Sequence, residues 1–304
     1  MLLSNICTST QLKSPEFQRW MSAIGHPPMV MHRKLWEWAY IAQALEERGM
    51  MVPGKRGLGF AVGREPLVSL LAARGCEIVA TDLDEPSAAS AGWTSTGQHA
   101  CDVTVLNAQG LCPAREFAER VTFRVVDMNR VPDDLVGFDF VWSSCAIEHL
   151  GDIDATVEFM SRMMSCLRPG GVAVHTTEYN LFSNEDTIDS GPVVLLRRSD
   201  LQAISDRLQS DGHTIEALDL DVGPAPDDQV VLHPPYEGSP CLKIWIGPYA
   251  ATSVGLIAQA GMAASLKCGP PNRDRERLRP RDKSMLSALK AWLSPHAGGK
   301  PPHS

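Results

Sequence analysis

Long apolar runs are missing from this 304-residue sequence: none approaches the ~18 residues that a membrane-spanning helix needs. The N-terminal MLLSNICTSTQLKSPEF has no basic stretch followed by an apolar core, so no secretory leader is expected. Paired cysteines are missing too. Cys7, Cys76, Cys101, Cys112, Cys145, Cys166, Cys241 and Cys268 include no CxxC, and several sit in apolar surroundings. Reduced thiols in a cytoplasmic protein are therefore expected, rather than a zinc site or a disulfide framework. Positive charge is short as well. The net charge is −8, which argues against a nucleic-acid partner, because such partners call for a basic face. The basic residues that do occur cluster at the end: residues 269–304 hold eight Lys/Arg against three acids, a net of +5, leaving −13 for the rest.

Three regions are expected. Residues 1–50 read as an N-terminal helical extension, broken at His26-Pro27-Pro28 and ending in the helix KLWEWAYIAQALEERG (34–49). Leu35, Trp38, Ile41 and Leu45 fall at helical spacing there, Trp36 lies off that stripe, and Gly49 is a stop. This helix either packs or walls a substrate site. Residues 51–265 alternate. Strands are expected at 55–60, 76–82, 121–127, 138–144 and 171–179, helices at 66–74, 155–167 and 199–213, and strands again at 213–221, 241–247 and 253–261. Near-continuous apolar strands alternating with helices mean an α/β, doubly wound, mostly parallel sheet covered on both faces. Residues 266–304 are rich in Pro and Arg and read as a disordered basic tail with a short amphipathic stretch, MLSALKAWL (285–293), suited to contact with a membrane surface or a protein.

The stretch GLGFAVGREPL (57–67) follows the first expected strand of that alternation, and Asp82 ends the second, nineteen residues after Gly63. Glycine lets a backbone turn sharply and approach a ligand closely. An acid at the end of the next strand can accept hydrogen bonds from two ribose hydroxyls, so a nucleoside-containing cofactor is expected at the C-terminal ends of the strands. The loop alone also fits an NAD(P)-binding turn.

The same residues resemble the first motif of the class I S-adenosylmethionine-dependent methyltransferases, acid-x-Gly-x-Gly-x-Gly. Gly59, Ala61 and Gly63 hold the glycine positions, and Gly57 stands where that family has its acid. VTFRVVDMNRVP (121–132) resembles the third-strand segment, FDFVWSSCAIEHLGD (138–152) the fourth, and LRPGGVAVHTTEYN (167–180) the helix end, Pro-Gly-Gly turn and fifth strand. The resemblance covers roughly residues 52–262. It implies a Rossmann-like seven-stranded sheet with an antiparallel last hairpin, and S-adenosylmethionine as cofactor. The implied contacts are Gly57, Gly59, Ala61 and Gly63, with Asp82 at the ribose, Asp127 and Met128 at the adenine, and Ser143 near the sulfur. Glu65 is a candidate to replace the acid missing at 57. The dehydrogenase alternative would need a Tyr followed four residues on by Lys, and Tyr40, Tyr179, Tyr236 and Tyr249 all lack it.

An oxygen acceptor would need a base, for which histidine titrates in the useful range. His149 is the first choice, then Glu178 and His175, all on or near the fourth and fifth strands. His149, Asp152, His175 and Glu178 fit no standard metal-ligand spacing, so no metal is expected. HPPY (233–236) reads as a rigid loop. The expected activity is O-methylation of a small-molecule or glycan hydroxyl, in the manner of bacterial enzymes of surface-polysaccharide assembly. A cofactor-binding protein without catalysis is the other class.

Overall fold

The computed structural model describes residues 1–262, so the expected tail and its amphipathic stretch lie outside the described residues. The core is a sheet of seven main strands: Arg56–Gly59 (β1), Glu77–Asp82 (β2), Val121–Val125 (β3), Phe138–Ser144 (β4), Leu167–Asn180 (β5), Lys243–Ile246 (β6) and Tyr249–Gln259 (β7). They pair in the order β3-β2-β1-β4-β5-β7-β6. The first five are parallel, while β7 runs antiparallel to both β5 and β6. Short strands Thr214–Ile215 and Val231–Leu232 add to β7 and β6.

Every residue of β4 is buried, so that strand must be covered on both faces. The helices around the sheet are Pro15–Ala23 (α1), Arg33–Glu47 (α2), Leu67–Ala73 (α3), Glu85–Ala91 (α4, outside both cores), Ala114–Arg120 (α5), Ile153–Arg162 (α6) and Arg198–Ser210 (α7). Side chains of α1, α2, α3 and α5 join Phe140, Trp142, Val172 and Val174 in one core. Those of α6 and α7 join Leu58, Val141 and Ala173 in the other.

Four local expectations change. α1 was not foreseen, although Ser14 caps it and Pro15 opens it, a combination visible in the sequence. Trp36, off the expected stripe, is fully buried as well and stacks on Tyr40, because α2 is covered almost all round. The Pro-Gly-Gly turn is absorbed into β5 as an irregularity, with Leu167 opposite Phe138 and Val172 opposite Phe140. Residues 213–221 form only two short strand pairs, Thr214–Ile215 and Leu218–Asp219.

The chain runs outward from β1 to β3 and returns to β4 on the other side of β1. Strand order reverses there, and the C-terminal ends of β1 and β4 open a crevice.

Candidate active site

The glycine loop leaves β1 at Gly59 and turns twice through left-handed backbone, at Ala61 (φ 47°) and Gly63 (φ 52°). A Cβ on Gly63 would lie 2.6 Å from the carbonyl oxygen of Gln98, so the turn requires glycine there. Gly57 and Gly59 have a different purpose from the one expected. They are strand residues whose missing side chains make room for aromatic rings of β4. A Cβ on Gly57 would fall 2.3 Å from the Phe140 ring, and one on Gly59 would fall 2.5 Å from Trp142. Neither lines the crevice.

The crevice is a cavity of about 450 Å³, of the size that takes a cofactor or other small molecule. Ala61, Gly63, Asp82, Asp127, Met128 and His149 line it, as do His26, Lys34, Trp38, Glu65, Trp93 and Ser144. Asp82 stands at its rim but is already occupied. Its Oδ2 accepts from the backbone N–H of Gly63 and Ala100, both at 3.1 Å, and its Oδ1 from Leu83 at 2.8 Å. The carboxylate therefore pins the glycine loop as well as facing the cavity. Burial raises its pKa. Asp127 accepts from Asn129 N at 3.0 Å, capping the turn that presents Met128. Ser143 does not reach the cavity; Ser144 does, because successive strand side chains point to opposite faces. Ser143 Oγ instead meets His175 Nδ1 at 2.7 Å.

Among the candidate bases only His149 stands in the wall. Its Nδ1 is 2.6 Å from the Pro192 carbonyl oxygen, so Nδ1 carries the proton and Nε2 is the basic nitrogen. Trp93 packs edge-on against the ring, centroids 4.6 Å apart. Burial pulls its pKa down to about 4, which keeps the ring neutral. His175 is a correction. It is fully buried against Phe159, with its pKa driven down to about 3 by burial, and it faces away from the cavity. Glu178 also lies behind the wall, bound to Arg33 and accepting from the Cys145 thiol at 3.4 Å.

Sequence reasoning left α2 undecided between packing and lining. It does both. Lys34 and Trp38, four residues apart on one face, enter the cavity, and His26 joins them from the turn before α2. His26 and Trp93 carried no periodic signal and were missed. Behind them lies a buried charge network. Glu37 accepts from Ser253 Oγ at 2.6 Å and from Ser144 Oγ at 3.2 Å, and meets Lys34 at 2.8 Å. Its pKa falls to about 2: burial opposes this, but Lys34 and Arg33 outweigh burial. Glu37, Cys145 and Glu178 converge closely enough to suggest a metal, yet the Arg33 guanidinium contacts both carboxylates. Glu148 and Glu178 are held up at about 7 by burial.

Residues 58–175 match a family model described as a methyltransferase domain. This stretch is a class I, S-adenosylmethionine-dependent methyltransferase domain. The chain is similar to the malonyl-[acyl-carrier protein] O-methyltransferase of Enterobacter lignolyticus (strain SCF1), 34% identical over 94 residues that cover 30% of this chain and 35% of that protein. It thus spans about a third of that relative's length. The chain is also similar to two solved structures. One is the magnesium protoporphyrin IX methyltransferase of Synechocystis PCC 6803 with bound S-adenosylhomocysteine (13% identity, 83% of this chain, 97% of that one, TM-score 0.45). The other is the 1,6-didemethyltoxoflavin-N1-methyltransferase of Burkholderia thailandensis (15% identity, 72% and 76%, TM-score 0.44).

The cofactor of this methyltransferase family is S-adenosylmethionine. The residues present fit it: a tight glycine loop, an acid at the end of β2, an apolar Met128 beside Asp127, and a shielded carboxylate oxygen of Glu65 that has no hydrogen-bond partner. No described helix is long and apolar enough to cross a membrane.

Proposed function

We propose that this protein methylates a hydroxyl oxygen of a small-molecule acceptor, with a sugar or glycan as the acceptor class, using S-adenosylmethionine. The observation that carries the reading is His149: a neutral imidazole in the cavity wall, held by the Pro192 carbonyl so that Nε2 is the basic nitrogen. The partial relative named above is an O-methyltransferase, which agrees with an oxygen acceptor. The indoles of Trp38 and Trp93 supply flat apolar walls that suit the C–H face of a sugar ring.

Ala61, Gly63, Asp82, Asp127 and Met128 would hold the cofactor, which supplies a methyl group already activated on a sulfonium. The protein's share is then to align the acceptor and manage one proton. His149 Nε2 takes the hydroxyl proton. The Glu148 carboxyl lies 3.9 Å from Nε2.

Titration calorimetry with S-adenosylmethionine, S-adenosylhomocysteine, NADH and NADPH tests the cofactor; binding of the adenosyl pair alone is expected. A panel of glycan and small hydroxyl acceptors follows. His149→Gln should then lower kcat by about 10²–10³-fold and leave S-adenosylhomocysteine affinity within a few-fold. Equal loss of both would make His149 a structural residue.

A further inference from the structure

The acid that the family's first motif would place at residue 57 cannot stand there. The Phe140 ring occupies the space, 2.3 Å from where a Cβ would begin, and Ile78 closes the remaining side at 3.0 Å. The positive group that such an acid would meet must find its partner elsewhere. Among the described residues, three carboxylates line the cavity: Glu65, Asp82 and Asp127. Asp82 is taken by three backbone N–H groups and Asp127 by its turn. Glu65 differs. Its Oε2 is shielded from solvent and accepts no hydrogen bond.

The surroundings of Glu65 complete a pattern. Lys34 lines the same cavity, its ammonium bound on one side by Glu37 at 2.8 Å. Glu37 is fixed in turn by Ser144 and Ser253, so Lys34 is held by a rigid carboxylate and has further donors to give. The Trp38 indole N–H, in the same wall, is buried beside the Glu65 carboxyl without closing a full hydrogen bond. A shielded carboxyl oxygen, a braced ammonium and a buried N–H beside that carboxyl match the groups of an α-amino acid; burial holds Glu65 up at about 8 in the empty cavity, and an α-ammonium against it would draw it into the charged form.

We infer that Glu65 and Lys34 form a clamp for the amino-acid end of the cofactor, in which Glu65 receives the α-ammonium and Lys34 the α-carboxylate. The clamp rests on the function proposed above and moves the missing acid's role from β1 to the far side of the glycine loop. It also gives α2 a binding role: the helix brings Lys34 from a segment that precedes the first motif altogether.

The test compares two ligands by calorimetry on the full chain. S-Adenosylhomocysteine has the amino-acid end; 5′-deoxy-5′-methylthioadenosine has the same adenosine and thioether without it. Wild type should prefer the former. Glu65→Gln and, separately, Lys34→Met should weaken S-adenosylhomocysteine by about 10–100-fold, the value of one charge-assisted hydrogen bond, and change methylthioadenosine by less than about 3-fold on the same scale. Unchanged S-adenosylhomocysteine affinity in both variants would overturn the clamp, including the case in which turnover alone falls, which would move Glu65 to the acceptor. Equal weakening of both ligands would overturn it too, because it would mean a displaced loop. If wild type binds neither ligand, the function reading fails and takes the clamp with it. If wild type binds both and the variants discriminate as stated, the two readings stand together.

Discussion

The two ends of the cavity handle their charges in opposite ways. At the glycine-loop end, Asp82 and Asp127 are satisfied by backbone N–H groups of their own neighbourhood. At the α2 end, Glu65 keeps an oxygen with no partner, and Glu37, Glu148 and Glu178 crowd around Arg33 and Lys34. The first end is complete in itself and shapes the loop. The second is left for something to complete. A carboxylate in a ligand cavity is thus ambiguous until its hydrogen bonds are counted.

That contrast can be broken most forcefully at residue 57. Gly57→Asp restores the family's acid, but drives a side chain into Phe140; the fold should lose about 3 kcal/mol or more, seen as a collapse of the denaturation midpoint. A stable Gly57→Asp that binds cofactor more tightly would mean that the first end can carry the acid after all. Next comes a matched pair. Asp82→Asn turns one acceptor into a donor facing backbone N–H groups and should cost about 2 kcal/mol of stability. Glu65→Gln should cost almost none.

A smaller effect is expected from pH. Carboxyls held neutral by burial, Glu148 and Glu178 at about 7 and Glu65 at about 8, keep protons that the unfolded chain has released above its ordinary value of 4.5. Their contribution to stability therefore falls as pH rises toward 8. His149 and His175, at about 4 and about 3 against an ordinary 6.5, work the other way and raise stability with pH until about 6.5. Between pH 6.5 and 8 the carboxyls act alone, so Tm should fall over that interval, less steeply in Glu65→Gln. A flat profile would remove the distinction between the two ends. The smallest effect is at Ala61, an alanine held at φ 47°: Ala61→Gly should gain up to about 1 kcal/mol by relieving left-handed backbone.

Most of the sheet was legible because each strand is a short apolar run bounded by a turn; β4 emerged residue for residue as FDFVWSS. The glycine loop was legible in position but not in the division of labour among its glycines. That division depends on Phe140 and Trp142, some eighty residues away, which no local pattern announces. His175 failed as a candidate because strand parity and burial decide where a side chain points, and neither is fixed until β5 is paired. His26 and Trp93 were invisible for the same reason: both lie on irregular segments that only the finished fold brings to the wall. Glu65 could be named as a substitute for the missing acid, but its unmet oxygen could not be read without the packing.

Two indoles in the cavity wall have a practical consequence. Of the seven tryptophans, Trp38 and Trp93 line the cavity, and Trp93 touches the imidazole of His149. The protein therefore carries built-in fluorophores at its own binding site. A ligand that fills the cavity should quench or shift their emission, so occupancy can be followed by light from an unlabelled chain before any acceptor is known.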